Sequence, residues 1–196
     1  MKKEAGIKFK CHSIKGEPIS WHKLEEIDKW RDKLYKKKLI GAYNNGIGFG
    51  NLSIRTKNNK FIITGTATGI LPSLNNKHYT EVTKFDIDKN TLTCKGPLKA
   101  SSESLSHAAI YKSNRDINAI IHIHNLVLWK KMLGDLPTTS KQAAYGSPEL
   151  AREIIRLLEN PEMRSKKIIV MAGHKEGIIS FGKNLDEAGS VILKKF

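Results

Sequence analysis

Apolar and polar positions along the chain follow two periods, and each change of period marks a new element. In "PISWHKLEEIDKWRDKLYKKKLI", Leu24, Ile27, Trp30 and Leu34 recur at helical spacing behind Ser20, a residue suited to an N-cap. That predicts a long first helix. In "GFGNLSIRT", Leu52 and Ile54 alternate with Ser53 and Arg55, "KFIIT" reads as a second strand, and Asn58-Asn59 supplies the turn between them. "TKFDIDKNTLTCKG" predicts another hairpin, turning at Lys89-Asn90, and "SSESLSHAAIYKS" a short helix capped by Ser101 or Ser102. Helices over "NLVLWKKML" and "SPELAREIIRLLE", strands over "KKIIVM" and "GIISFG", and a closing helix over "LDEAGSVILKKF" complete the order. Hairpins interleaved with helices imply a mixed α/β domain whose sheet is mostly antiparallel.

The stretch with most chemistry is "INAIIHIHN", Ile117 to Asn125. An apolar run of this kind reads as a buried strand, and residues i and i+2 of a strand share a face. His122 and His124 therefore emerge together, as two nitrogen ligands aimed at one point. A catalytic zinc takes three protein ligands and leaves one position open. His174, in "IIVMAGHKEGIISFG", lies at a turn between two strands where Gly173 and Gly177 let the backbone bend, and it is the best third ligand. Glu103 and His107 sit four apart on the preceding helix and share one face, so either could approach the metal. His12, His22 and His78 lie in polar contexts without a useful partner and read as surface histidines. The alternative is that the pair is an accidental, half-buried one, since most histidines in proteins are structural.

Bulk properties narrow the class. A chain of 196 residues is read as one domain, 1–196, with 1–18 as an N-terminal extension. It lacks both an apolar run of 18 residues and a signal-like start, so a soluble, cytoplasmic protein without membrane association is expected. Cys11 and Cys94 are too few for a disulfide framework and read as ordinary buried thiols. The formal charge of +15 arises from 34 basic and 19 acidic residues. Those basic residues are scattered and no RNA-binding signature accompanies them, which disfavours a nucleic-acid partner and leaves a solvated basic surface or attraction of a small anion.

"GNLSIR" (Gly50 to Arg55), "SSES" (Ser101 to Ser104), "AIIHIHN" and "GHKEGIISFG" stand in an order that resembles the class II aldolase/adducin family, over about Lys23 to Lys194. The resemblance implies a three-layer α/β/α sandwich around a largely antiparallel sheet, assembled as a homotetramer with sites between subunits. It also implies Zn2+, or another divalent metal, on His122, His124 and His174, with Glu103 as the acid/base. Asn51, Thr66, Ser101 and Ser102 match the positions that bind the phosphate of a small sugar phosphate. A helix N-terminus at Ser101 and Ser102 would favour that anion. The activity implied is retro-aldol cleavage of a ketose 1-phosphate through a metal-stabilised enediolate. The alternatives are a dehydratase or epimerase of the same family, or a non-catalytic adducin-like interaction module. The chain departs from the family's aldolases in "TGTATG", where Gly65 replaces proline and Ala67 replaces glycine. The tyrosine lent by a neighbouring subunit has only Tyr145 as a candidate.

Overall fold

The two periods become two kinds of layer. The computed structural model describes residues 9–196 and contains, in chain order, β1 (Lys10–Lys15), α1 (Glu25–Lys36), β2 (Gly41–Ala42), β3 (Gly48–Phe49), β4 (Asn51–Arg55), β5 (Phe61–Thr64), β6 (Tyr79–Asp86) and β7 (Thr91–Gly96). These are followed by α2 (Ser104–Ser113), β8 (Ala119–His124), α3 (Leu126–Met132), α4 (Pro148–Leu158), α5 (Met163–Lys166), β9 (Ile168–Val170), β10 (Gly177–Gly182) and α6 (Leu185–Leu193). Eight strands form one sheet in the order β1-β7-β6-β5-β4-β8-β10-β9, with β2 and β3 as a separate pair. Every neighbour in the large sheet is antiparallel except β1, which runs parallel to β7.

Side chains alternate across this sheet into two cores. Phe61, Ile63, Val82, Ile120 and Ile179 meet Leu105, Ala109 and Ile110 of α2 and Leu150 and Ile154 of α4. On the other face, Leu52, Ile62, Ile121, Ile123 and Ile178 meet Ile27, Trp30 and Leu34 of α1, Leu128 of α3 and Leu185 and Ile192 of α6. Each fully buried aliphatic or aromatic side chain contributes about 1.5–3 kcal/mol, so both layers are firmly held. This is a three-layer α/β/α sandwich, as the family resemblance implied. Strand β8 lies between β4 and β10 near the middle, and every one of its residues is buried. Its even-numbered positions continue the face of Ile120, so His122 and His124 point toward the α2 layer.

Several local expectations shift. The first helix is interrupted: Trp21–Lys23 is a 3-10 turn, Ser20 makes no capping bond to the backbone, and the α-helix starts at Glu25. Ser20 Oγ instead pairs with His22 Nδ1 at 2.8 Å. The strand expected over "GFGNLSIRT" is broken between β3 and β4 by Gly50, whose φ is +79° and where a Cβ would sit 2.6 Å from Ile40 Cγ1. Both hairpin turns form as expected, with Asn58 and Asn90 in the left-handed region at φ 55° and 50°. The N-terminal extension contributes the edge strand β1, while residues 1–8 of it lie outside the described residues. Its polar "KCHSIK" carries no alternation that marks a strand. Cys94 is buried and Cys11 half-buried, with their sulfurs 3.7 Å apart across β1 and β7. Among the described residues, no helix is long and apolar enough to cross a membrane.

Candidate functional site

The register of the sheet builds the site. His122 lies opposite Asn51 of β4 on one side and Ile179 of β10 on the other, while His124 lies opposite Gly177. That glycine is required by space: a Cβ there would fall 2.8 Å from His174 Cδ2 and 3.2 Å from His122 Cε1. The turn between β9 and β10 thereby folds His174 over the end of β8. His122 Nε2 and His124 Nε2 are 3.0 Å apart, and His124 Nε2 and His174 Nε2 3.1 Å. All three histidines offer a ligand atom within 4.8 Å of the others.

The donor set fits a divalent cation. Zinc–imidazole bonds of about 2.0–2.1 Å in tetrahedral geometry put ligand nitrogens about 3.3 Å apart, close to the observed spacing. His122 Nδ1 lies 3.2 Å from the Ile178 carbonyl, which can only accept, so Nδ1 carries the proton and Nε2 faces its neighbours as a lone pair. Burial, reinforced by His124 and His174, pushes the His122 pKa well below its ordinary value, and burial followed by His174 lowers that of His124 to about 3. Both rings are neutral at pH 7. Neutral imidazoles can turn lone pairs toward one point, which is the state that metal ligation requires.

Glu103 stands beside this cluster. Its Oε2 accepts a hydrogen bond from Ser106 Oγ at 3.0 Å, and its Oε1 is 3.7 Å from His174 Nε2. Oε1 is buried without a hydrogen-bond partner, as is Asn51 Oδ1. Buried polar atoms in native proteins are normally paired, so two orphans in one place mark where a ligand belongs. One cavity of about 480 Å³ is lined by Glu103, His122, His124, His174, Asn51, Thr66, Ser101 and Ser102 together. The eight residues that the family resemblance assigned to metal, acid/base and phosphate binding thus line one cavity.

The start of α2 and the burial of His78 differ from expectation, and the choice between Glu103 and His107 is resolved. Helix α2 begins at Ser104, so Ser101 and Ser102 form the turn before it, and the N-cap position passes to Glu103, whose side chain makes no capping bond. The reason is local: Ser104 directs both its amide, at 3.0 Å, and its hydroxyl, at 2.7 Å, to the Ser101 carbonyl. His107 does not reach the cluster. Its Nδ1 pairs with Ser53 Oγ at 2.7 Å, Ser53 Oγ lies 2.8 Å from Tyr111 Oη, and burial lowers the His107 pKa to about 3. Of the three histidines read as surface groups, His12 and His22 are exposed, whereas His78 is half-buried and its Nδ1 accepts from the Asn75 amide at 2.9 Å.

Sequence reasoning missed Tyr43, Phe49 and Glu176. Tyr43 and Phe49 line the cavity, and Phe49 stacks on His124 with ring centroids 5.4 Å apart. Tyr43 Oη lies 2.6 Å from His124 Nδ1 and donates to Glu176 Oε2 at 2.9 Å. Tyr145 lines the cavity of its own chain, its ring 4.9 Å from that of His174.

A three-layer sandwich with three imidazoles converging at the end of a buried strand is a mixed α/β scaffold with a histidine group that could hold one cation. The chain belongs to the class II aldolase and adducin N-terminal domain family, whose model matches residues 35–193. It is 29% identical over 170 residues to an L-fuculose phosphate aldolase of Methanocaldococcus jannaschii, covering 80% of this chain and 82% of that one. A shorter match, 35% identical over 81 residues, joins 41% of this chain to 35% of a 3-oxo-tetronate 4-phosphate decarboxylase of Haemophilus influenzae. The fold is similar to that of a solved L-fuculose 1-phosphate aldolase at a TM-score of 0.66 and 22% identity, over 90% of this chain and 82% of that one.

Proposed function

We propose that this protein is a metal-dependent lyase that cleaves a ketose 1-phosphate by a retro-aldol reaction. The observation that carries the reading is the meeting, in one cavity, of a three-imidazole cluster, a buried carboxylate oxygen without a hydrogen-bond partner, and a polar rim of Asn51, Thr66, Ser101 and Ser102. His122, His124 and His174 would hold the ion. A divalent cation there, zinc by ligand type, would supply the charge that stabilises an enediolate as a carbon–carbon bond breaks. Glu103 Oε1 has no competing hydrogen bond and would carry the proton at the carbon that loses its bond. The rim hydroxyls and the Asn51 amide would bind and orient the phosphate, which fixes the reacting carbons relative to Glu103.

The match to a decarboxylase supports a second reading on the same residues, because loss of carbon dioxide from a 2-hydroxy-3-oxo acid also leaves an enediolate to be protonated. A non-catalytic module is disfavoured, since nothing in mere adhesion requires three converging imidazoles, two of them buried, beside a buried carboxylate oxygen that has no hydrogen-bond partner. Within this proposal the protein is a cytoplasmic homotetramer, and light scattering of the metal-loaded protein reads that state directly.

The test is a screen of ketose 1-phosphates and phosphorylated 3-oxo acids with zinc-loaded protein, paired with Glu103→Gln. Wild-type turnover on one class is expected. The variant should keep its metal and lose on the order of 100-fold in kcat. Fully loaded wild type that turns over neither class would remove the lyase reading, and a Gln variant as fast as wild type would end the acid/base role.

A further inference from the structure

Tyr43 and Glu176 are distant in sequence from His124, yet both converge on the side of its ring that faces away from the histidine cluster. The hydrogen-bond inventory there has one solution. A tyrosine hydroxyl holds a single proton, and the Glu176 carboxylate, which can only accept, takes it at 2.9 Å. The 2.6 Å contact between Tyr43 Oη and His124 Nδ1 must therefore run the other way, with Nδ1–H donating to the phenol oxygen. His124 Nε2 is left as a lone pair, facing His122 and His174 at 3.0 and 3.1 Å.

We propose that Tyr43 and Glu176 are a positioning pair that fixes His124 as a metal ligand by holding its Nδ1 proton. The inference rests on the metal-site reading above and extends it to residues outside the ligand set. His122 is fixed by a backbone carbonyl, which no side-chain substitution removes, whereas His124 depends on this two-residue relay. Carboxylate character passed through the phenol also makes the imidazole a stronger donor at Nε2.

The backbone at Glu176 is consistent with that role. Glu176 has φ 71°, a conformation that glycine adopts freely and other residues resist. The turn already holds Gly173 and Gly177, so a further glycine at 176 would relieve it. The chain instead keeps a glutamate there, with its carboxylate on Tyr43 and its backbone oxygen accepting from the Asn125 amide at 3.1 Å. Tyr43 is also oriented by Phe49, the ring centroids being 4.7 Å apart, so removing its hydroxyl leaves the packing in place.

Two measurements on Tyr43→Phe, Glu176→Gln and Glu176→Gly decide the matter. In 15N-histidine-labelled, metal-free protein, wild-type His124 should be the Nδ1–H tautomer, and Tyr43→Phe should show a mixture or the opposite tautomer. In chelator competition, zinc affinity should fall about 10–100-fold in Tyr43→Phe. Glu176→Gly, which keeps the turn while losing the carboxylate, should fall comparably, and Glu176→Gln should recover part of the loss because its amide oxygen still accepts from Tyr43. Unchanged tautomer in Tyr43→Phe would overturn the proposal, and so would wild-type affinity in both Tyr43→Phe and Glu176→Gly. Wild type that takes up no zinc would sink the metal reading by itself, while the tautomer measurement would still decide what Tyr43 does.

Discussion

Gly173 offers a direct test of how the turn between β9 and β10 places its histidine. Its φ is not in the left-handed region, so alanine meets no backbone strain there, and only space opposes it. That opposition is severe: a Cβ would lie 2.1 Å from the Ala143 carbonyl oxygen and 2.7 Å from its carbon, where real contacts essentially never fall below 3.0 Å. One of two backbones must retreat by about 0.9 Å, and the segment carrying His174 is the adjacent residue. Overpacking of this size costs about 1–3 kcal/mol. The sharper effect is on the ligand set, since metal–ligand distances tolerate only about 0.2 Å. Losing His174 as a ligand should weaken zinc binding by on the order of 100-fold. With free zinc at 100 times the wild-type Kd, metal stabilises the wild type by about 2.7 kcal/mol, and the same zinc would then stabilise Gly173→Ala by only about 0.4 kcal/mol. Urea unfolding with buffered zinc and with chelator reads both numbers. Gly134→Ala serves as control, because Gly134 has φ 87° and open space around its Cβ position, so it should lose about 1–2 kcal/mol of stability and none of the zinc effect. Wild-type zinc stabilisation in Gly173→Ala would refute the idea that this turn delivers a ligand.

Two further outcomes follow from buried groups. His107 titrates at about 3 when folded against an ordinary 6.5, so the unfolded state binds the proton first, and stability is full above pH 6.5 and lost as pH falls toward 3. His107 alone should lower metal-free stability by about 2 kcal/mol between pH 7 and 5, and urea unfolding at both should show His107→Gln less sensitive by that amount; equal pH dependence would show that its burial is not the cause. Arg31, 1% exposed, donates to the carbonyls of Pro72 at 3.0 Å, Thr68 at 3.2 Å and Leu71. Arg31→Met should cost about 2–3 kcal/mol and speed amide exchange across residues 66–72, and unchanged exchange there would show that the guanidinium does not hold the loop that carries Thr66.

The layers were legible because burial repeats with the period of each element. Ile120 and Ile121 belong to opposite cores one residue apart, which only a strand buried on both faces allows, and the run from Ile117 advertised it. The starts expected for α3, α4 and α6 hold, and there the Asn125, Ser147 and Asn184 side chains each accept from a backbone amide of the first turn. Helix starts were misread where the side chain did something else. Ser20 spends its hydroxyl on His22, and the turn at Ser101 is closed by Ser104, so both helices start later than the cap residues suggested. Strand β1 was not legible at all, since its place beside β7 depends on backbone pairing and five of its six residues are exposed.

The site divides along the same physical line. His122 and His124 could be read because the period of a strand guarantees a shared face, and His174 because glycines flank a turn; these are local facts. Glu103 shares a helix face with His107, but sequence spacing cannot say which of them reaches the cluster. The structure separates them by their partners: His107 is held by Ser53, whereas Glu103 Oε1 is left facing His174. Tyr43 and Glu176 lie beyond any such local rule. Tyr43 is 81 residues from His124 and 133 from Glu176, and only the register that sets β8 beside β10, together with the bend at Glu176, brings the three together. Local periodicity can thus reveal which residues could ligate an ion, while the groups that fix a ligand's tautomer come from wherever the fold happens to return. That is why the convergence of the three histidines could be read from the sequence and the partners of His124 could not.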